Sequence, residues 1–193
     1  MKGRSTTPPV ALAVVMALVL GACQLASSAP SASLPPGPSG ASTEARVVAI
    51  VDGDTIRVEI AGQEFRLRYI GIDAPERGTP YADEATSANR GLVAGARVLL
   101  ERDVSNTDRF DRLLRYVWVE RDREWLFVNG ELVRLGLAIA KRYPPDTGRH
   151  SQLEAAEREA RRSRVGIWAD GSGVLPSIVR ILAGVAERQT QPA

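Results

Sequence analysis

Four carboxylates lie close together in the chain. Asp52 and Asp54 flank Gly53, and Asp73 and Glu76 bracket Ala74-Pro75. Carboxylates that converge on one point repel each other unless a cation sits among them. Their oxygens are hard donors, suited to Ca²⁺ or Mg²⁺. Taken alone, Asp52-Gly53-Asp54 reads as an ordinary turn. It is not an EF-hand loop, because Ile56 holds a position where that motif needs Asp or Asn. Arg68 and Arg112 add permanent positive charge. A phosphodiester under attack gathers negative charge on its non-bridging oxygens, and guanidinium groups can be oriented in advance to meet it. A single arginine is ordinarily surface decoration, and Arg66 is assigned no role on that ground. The chain holds one cysteine, Cys23, and one histidine, His150. Those counts exclude an intrachain disulfide, a Cys/His zinc site and a two-histidine mechanism.

The elements that must position these groups are short. Arg46–Val51, Thr55–Ile60 and Gln63–Ile72 read as three β-branched strands joined by tight turns, an antiparallel meander. Alternation puts Phe65, Leu67 and Tyr69 on one face of the third strand, and Arg66, Arg68 and Ile70 on the other. Pro75 ends that run. Asp83–Ala94 is expected as a helix stopped by Gly95, followed by strands at Arg97–Glu101 and Leu113–Glu120. Asn129 is expected to cap a short helix ending near Gly136. Ser151–Arg164 is expected as a longer helix. Its Arg158, Arg161, Arg162 and Arg164 interleave with Glu154, Glu157 and Glu159, as on a solvated face. Five strands with interspersed helices suit an α+β class and a Greek-key OB barrel with about three helices, although spacing alone does not settle it. His150 is expected to face solvent or cap a helix. Trp118, Trp125 and Trp168 are expected to pack.

Both ends of the chain differ in character. Met1–Arg4 is basic, Val10–Leu20 is an unbroken apolar run, and small residues follow, the pattern of an export signal. The run is shorter than the roughly 20 residues a membrane span needs. Leu20-Gly21-Ala22-Cys23 resembles the bacterial lipobox, whose cysteine is lipidated; a plain signal peptide is the alternative. Ser, Ala, Pro and Gly dominate the segment after Cys23, which reads as a spacer. The expected organisation is a signal peptide over 1–22, a lipid-attachment cysteine and linker over 23–44, a domain over 45–169 and a tail over 170–193. In the tail, Ile178, Ile181, Leu182 and Val185 have helical spacing, either to dock on the domain's own core or to meet a partner or membrane. With Lys2 and Arg4 set aside, basic and acidic residues balance. Attraction for an anionic polymer must then come from local placement.

The run VVAIVDGDTIRVEIAGQEFRLRYIGIDAPE resembles the thermonuclease, or staphylococcal nuclease-like, family. The segments DRFDRLLRYV at 108–117, VNGELVRLGLA at 128–138 and Gly166-Ile167-Trp168 agree with it in order and spacing. The resemblance covers roughly residues 45–168. It implies an OB barrel and Ca²⁺-dependent hydrolysis of DNA and RNA that leaves 3′-phosphate ends. By matching position it implies Asp54 and Asp73 as side-chain calcium ligands, with the Ala74 carbonyl as a third. Arg68 and Arg112 match the catalytic arginines, and Glu76 the carboxylate assigned to activating water. Arg109, Phe110 and Tyr143 fall where substrate is bound. Phe110 stands where Tyr is common and keeps a ring without the hydroxyl. Asp111 stands where Gly is usual, so it either pairs with Arg112 or strains the turn. Arg142 falls near a usual aromatic position, which Tyr143 can fill.

These readings describe an exported, cell-envelope, lipid-anchored nuclease, expected as a monomer with DNA and RNA as substrates. The first alternative is a catalytically weak or inactive nucleic-acid-binding OB module of the envelope. The second is a structural envelope lipoprotein whose acidic turn binds calcium.

Overall fold

The computed structural model describes residues 37–169. The export signal, Cys23, most of the spacer and the C-terminal tail lie outside the described residues. No helix among the described residues is long and apolar enough to cross a membrane.

The chain enters a three-strand meander of β1 (Ser42–Ile50), β2 (Thr55–Ile60) and β3 (Gln63–Tyr69). Ile50 pairs with Ile56 at one turn, and Ile60 with Gln63 at the next. Alternation buries Ile56 and Val58 of β2 and Leu67 and Tyr69 of β3, while Arg57, Glu59 and Arg66 face water. Two residues, Ile72–Asp73, form β4. Helix α1 (Ala82–Val93) precedes β5 (Arg97–Glu101), β6 (Leu113–Arg121) and β7 (Glu124–Phe127). Then come α2 (Val128–Arg134), β8 (Ile139–Ala140), α3 (His150–Ser163) and a 3₁₀ turn at Gly166–Trp168.

The sheet runs β3-β2-β1-β5-β6-β7, and β3 also pairs with β6. That last pairing is parallel, with Leu67 opposite Leu113 and Arg68 opposite Leu114. It closes β1, β2, β3, β5 and β6 into a five-stranded barrel of OB type, with three α-helices packed on it. The interior holds Val47, Ile56, Val58, Leu67, Val98, Leu100, Val117 and Val119. Ala85, Ala88 and Leu92 of α1, Leu132 and Val133 of α2, and Leu153 of α3 cover it. Burying aliphatic side chains of this size contributes about 1.5–3 kcal/mol each.

Several local expectations change. The third strand is shorter than Gln63–Ile72. Gly71 has φ +76°, which breaks the strand and starts β4 in a new direction. Ile70 is therefore buried, although alternation had grouped it with the arginines. The hairpin strand β7 is additional. Asp122 and Arg123 both have positive φ, the conformation of a two-residue hairpin turn. Asn129 is not a helix cap. It sits inside α2, fully buried. Its Oδ1 accepts from the Val117 amide at 2.9 Å, and its Nδ2 donates to the Ile70 carbonyl at 2.9 Å. It thereby ties β6 to the end of β3. The helix over 150–163 carries its interleaved charges as ion pairs, Arg161 with Glu157 and Arg158 with Glu154, and Arg134 of α2 reaches Glu159.

Asn129→Ala is expected to leave the Val117 amide and Ile70 carbonyl unpaired inside the fold. The cost is roughly 1–3 kcal/mol for each orphaned group. A urea unfolding midpoint measures it, and an unchanged midpoint contradicts the brace.

Candidate active site

Barrel closure brings the two arginines together. Arg112 directly precedes Leu113, which pairs with Leu67, the neighbour of Arg68. Both arginines line a cavity of about 380 Å³ that also presents Asp52, Asp54, Ala74, Glu76 and Arg77.

The turn between β1 and β2 is built tightly. The Asp54 amide donates to Asp52 Oδ1 at 3.1 Å, a local bond that shapes the turn. Asn89 of α1 donates to the Asp52 carbonyl at 2.9 Å and accepts from the Tyr69 hydroxyl at 2.8 Å. Burial, first of all, pushes the Tyr69 phenol well above its ordinary pKa, so the hydroxyl stays a donor. Gly53 is required by space: a Cβ there would lie 2.7 Å from the Ala74 Cβ and 2.8 Å from the Ala85 Cβ. The turn thus locks against both the end of β4 and α1.

This packing drives Asp54 inward, to 3% exposure. Its Oδ2 accepts from the Ala74 amide at 2.6 Å. Its Oδ1 pairs with Arg68 Nη1, and Thr55 Oγ1 lies 3.4 Å away. Arg68 Nη2 reaches Asp73 Oδ1 at 2.7 Å and the Ile72 carbonyl at 3.2 Å. One guanidinium therefore bridges carboxylates from two separate segments, the turn after β1 and strand β4.

Asp52, Asp54, Asp73 and Glu76 do not act as one four-carboxylate cluster. Asp52 is spent on the turn, and Glu76 is exposed on the loop after Pro75, where its carbonyl accepts from Thr79 Oγ1 at 2.6 Å. Among the described residues no group of three or more His, Cys, Asp or Glu side chains could hold a metal. Two carboxylates with backbone carbonyl, water and substrate oxygens remain. That mixed, flexible set suits Ca²⁺, which takes six to eight oxygens, better than a dedicated all-side-chain cage. The bridging guanidinium marks where positive charge is demanded, since a carboxylate as buried as Asp54 needs a counter-charge.

Arg112 is held independently. Its Nε donates to Asp108 Oδ2 at 2.7 Å and its Nη2 lies 2.6 Å from the same oxygen. The amides of Phe110 and Arg112 donate to Asp108 Oδ1. Burial raises the Asp108 pKa, but the Arg112 side-chain bond and these amides outweigh it, so the carboxyl lies below its ordinary value. Asp111 takes φ +63°, the left-handed region that Gly enters freely and Asp tolerates. The partner of Arg112 is Asp108 rather than Asp111, so of the two expectations the backbone one applies.

A second groove of about 490 Å³ shares Arg68 and Arg112 and adds Arg109, Phe110 and Tyr143. Phe110 is 61% exposed, with Arg109 4.7 Å and Arg112 5.4 Å from its ring centroid. Tyr143 is partly exposed and is fixed by its carbonyl, which accepts from Asp146. The structure thus gathers Asp54, Arg68, Ala74, Glu76 and Arg112 at one cavity, joins Asp73 to it through the Arg68 guanidinium, and sets Arg109, Phe110 and Tyr143 in the adjoining groove. Cys23 lies outside the described residues.

Two residues with site contacts escaped the sequence reading. Asp108 lies in the family-like run at 108–117, and its spacing of four before Arg112 is the signal for a pair. Lys141, whose Nζ is 2.8 Å from Asp73 Oδ2, gives no such signal. Trp118 packs as expected, stacked on Phe127 at 4.8 Å with its Nε1 donating to Glu101. His150 opens α3 partly buried, with Nε2 3.4 Å from Glu154 and Nδ1 unpartnered.

A closed five-stranded barrel with arginines and carboxylates around one cavity defines an OB domain equipped for an anionic substrate. Comparison with known proteins is specific. The family described as Staphylococcal nuclease homologue matches residues 66–170. The thermonuclease of Staphylococcus hyicus is 34% identical over 131 residues, 65% of this chain and 75% of its own. Protein ParB of Escherichia coli is 38% identical over 144 residues, 72% of this chain and 80% of its own. The micrococcal nuclease of Shigella flexneri is 34% identical over 148 residues, 72% and 81% of the two chains. The chain belongs to the family of staphylococcal nuclease homologues.

Asp108→Asn tests the clamp on Arg112 through pH. A carboxyl whose folded pKa is depressed contributes stability that is complete above its unfolded value and lost as pH falls through the folded one. The stability gap between wild type and Asp108→Asn is therefore expected to narrow as pH is lowered from about 5 towards 2. Urea midpoints across that range measure it; a constant gap contradicts the charged pair.

Proposed function

We propose that the chain is an exported, lipid-anchored, Ca²⁺-dependent endonuclease that hydrolyses DNA and RNA and leaves 3′-phosphate ends. The single observation that carries the catalytic reading is the Arg68 guanidinium held between Asp54 and Asp73, at a cavity that Arg112 and Glu76 also line.

Asp54, Asp73 and the Ala74 carbonyl would hold the Ca²⁺. When bound it supplies Lewis-acid stabilisation of a phosphate oxygen and a template for the attacking water. Glu76, exposed and facing the same cavity, accepts the proton of that water directly or through one intermediary. Water oxygen bonds to phosphorus, and the bond from phosphorus to the 5′ oxygen breaks. The leaving 5′ oxygen takes a proton from solvent water and Glu76 returns its proton to solvent, so the products are a 3′-phosphate and a 5′-hydroxyl. Arg68 and Arg112 hold the non-bridging oxygens as charge accumulates, Arg112 from a position already braced by Asp108. Phe110 and Tyr143 offer exposed rings to bases in the adjoining groove, where stacking contributes about 1–3 kcal/mol per base. Stacking on a ring face is tolerant of base identity, which favours a substrate range spanning DNA and RNA.

The basic head, apolar run and Cys23 support export and lipidation. Dual acylation would hold the domain at a membrane, with the spacer giving it reach.

Glu76→Ala is expected to lower cleavage of single-stranded DNA about 10²–10⁴-fold, the usual share of a general base. Arg68→Ala and Arg112→Ala are each expected to cost about 10²-fold or more. A chelator is expected to stop cleavage, and end analysis is expected to find 3′-phosphates. Near-wild-type rates in all three variants refute the assignment. Intact DNA retained on the protein with Ca²⁺ present supports a binding module instead. Cys23→Ser is expected to move the protein from the membrane to the soluble fraction.

A further inference from the structure

Lys141 makes a contact that the proposed reaction does not use. In the small sheet, β8 runs antiparallel to β4, with Ile139 opposite Asp73 and Ala140 opposite Ile72. The Lys141 amide then donates to the Gly71 carbonyl at 2.8 Å. These bonds fix the backbone of Lys141 beside Asp73, and its Nζ meets Asp73 Oδ2 at 2.8 Å.

Both oxygens of Asp73 are thereby engaged by protein cations, Oδ1 by Arg68 and Oδ2 by Lys141. The two cations differ in how they are held. Arg68 is largely buried, and Asp54 and the Ile72 carbonyl retain it without Asp73. The Lys141 side chain is 46% exposed, and its other neighbour is the Tyr143 ring, 5.3 Å away. At neutral pH a lysine ammonium carries a full positive charge, here set against Asp73. A cation approaching Asp73 meets a positive charge already seated on the oxygen it needs. It must displace that ammonium or share the oxygen against like-charge repulsion.

We infer that Lys141 is a built-in competitor for the cation at Asp73, which weakens cation binding and so sets the cation concentration at which the site fills. This rests on the reading of Asp73 as a calcium ligand. The competition is mild, because an exposed ammonium returns to water at little cost and exposed ion pairs are weak. Removing it is expected to tighten cation binding by about fivefold, the lower end of the range for coupled sites.

The test is calorimetric titration of Ca²⁺ into the full-length chain, without nucleic acid. Lys141→Met is expected to bind Ca²⁺ about fivefold more tightly than wild type. Lys141→Arg, which keeps a charge able to pair with Asp73, is expected to stay near wild type. Arg142→Met removes an equal charge one residue away and is expected to change affinity much less. In the Asp73→Asn background, Lys141→Met is expected to have no further effect, since the shared oxygen is altered. Equal or weaker binding by Lys141→Met overturns the inference, as does an equal gain from Arg142→Met, which would reflect net charge alone. If wild type binds Ca²⁺ and Lys141→Met is unchanged, only this inference falls. If neither binds Ca²⁺, the calcium reading of the site falls and takes the inference with it.

Discussion

A carboxylate forced out of water must be given a positive charge, and Asp54 is the carboxylate on which this chain imposes that demand. Gly53 lets the turn press against Ala74 and Ala85, and Asn89 pins the carbonyl beside it. Asp54 then has no solvent to retreat to, and Arg68 answers it. The same guanidinium reaches Asp73, so the turn after β1 and the end of β4 become one electrostatic unit. Parallel pairing of β3 with β6 delivers Arg112 to that unit, because register places Leu113 against Leu67. Fold and site share one cause: the barrel closes at the strand that carries Arg68.

The two arginines are prepared differently, and the difference bears on chemistry. Arg112 is clamped by one carboxylate that also organises its own loop, since Asp108 binds two amides as well as the side chain. Its guanidinium is aimed before any substrate arrives, the condition under which electrostatic stabilisation costs no reorganisation. Arg68 is shared between two carboxylates, which a dication would also bind. On the proposed reading, a cation bound there would compete for Asp54 and Asp73 and would free Arg68 donors for a phosphate. Glu76 has neither kind of restraint. Exposed on a loop, it would be free to reach a water in the role proposed for it.

The strands and turns were legible in the sequence because their signals were local, and their closure into a barrel was implied by the family resemblance. Alternating β-branched runs, Asp-Gly and Ala-Gly turns and a glycine stop after α1 each act over a few residues. What was not legible depended on contacts across the chain. Asn129 carries the chemistry of a cap and stands at a helix start, yet the barrel wall offers it an amide and a carbonyl and draws it inward. The β7 hairpin turns on Asp122-Arg123, a pair without the Asn-Gly signature, and is paid for by Trp118, which stacks on Phe127 across it. Asp54, Arg68, Asp73 and Arg112 were nameable through the family resemblance; taken alone, the acidic turn reads as an ordinary turn and each arginine as surface decoration. Lys141 was not, because a lysine beside a two-residue strand has no pattern; only the β4–β8 bridge brings it to Asp73.

The same topology bears on the proposed tether. The spacer joins the barrel at the Ser42 end of β1, while the Asp52-Gly53-Asp54 turn leaves its other end. Eight steps of strand separate the two ends by at most roughly 26 Å. The entry point is bolted down: Ser39 Oγ accepts from Arg149 at 2.8 Å, and Arg149 in turn pairs with the buried Glu101. Burial works to raise the Glu101 pKa, but bonds from Arg149 and Trp118 outweigh it and keep the carboxyl below its ordinary value, so the bolt stays charged at neutral pH. A pull on the spacer therefore meets Arg149 and Glu101 before it reaches the catalytic turn. Strain from the proposed anchor would be borne at one end of β1, leaving the other end to hold Asp54 against Arg68.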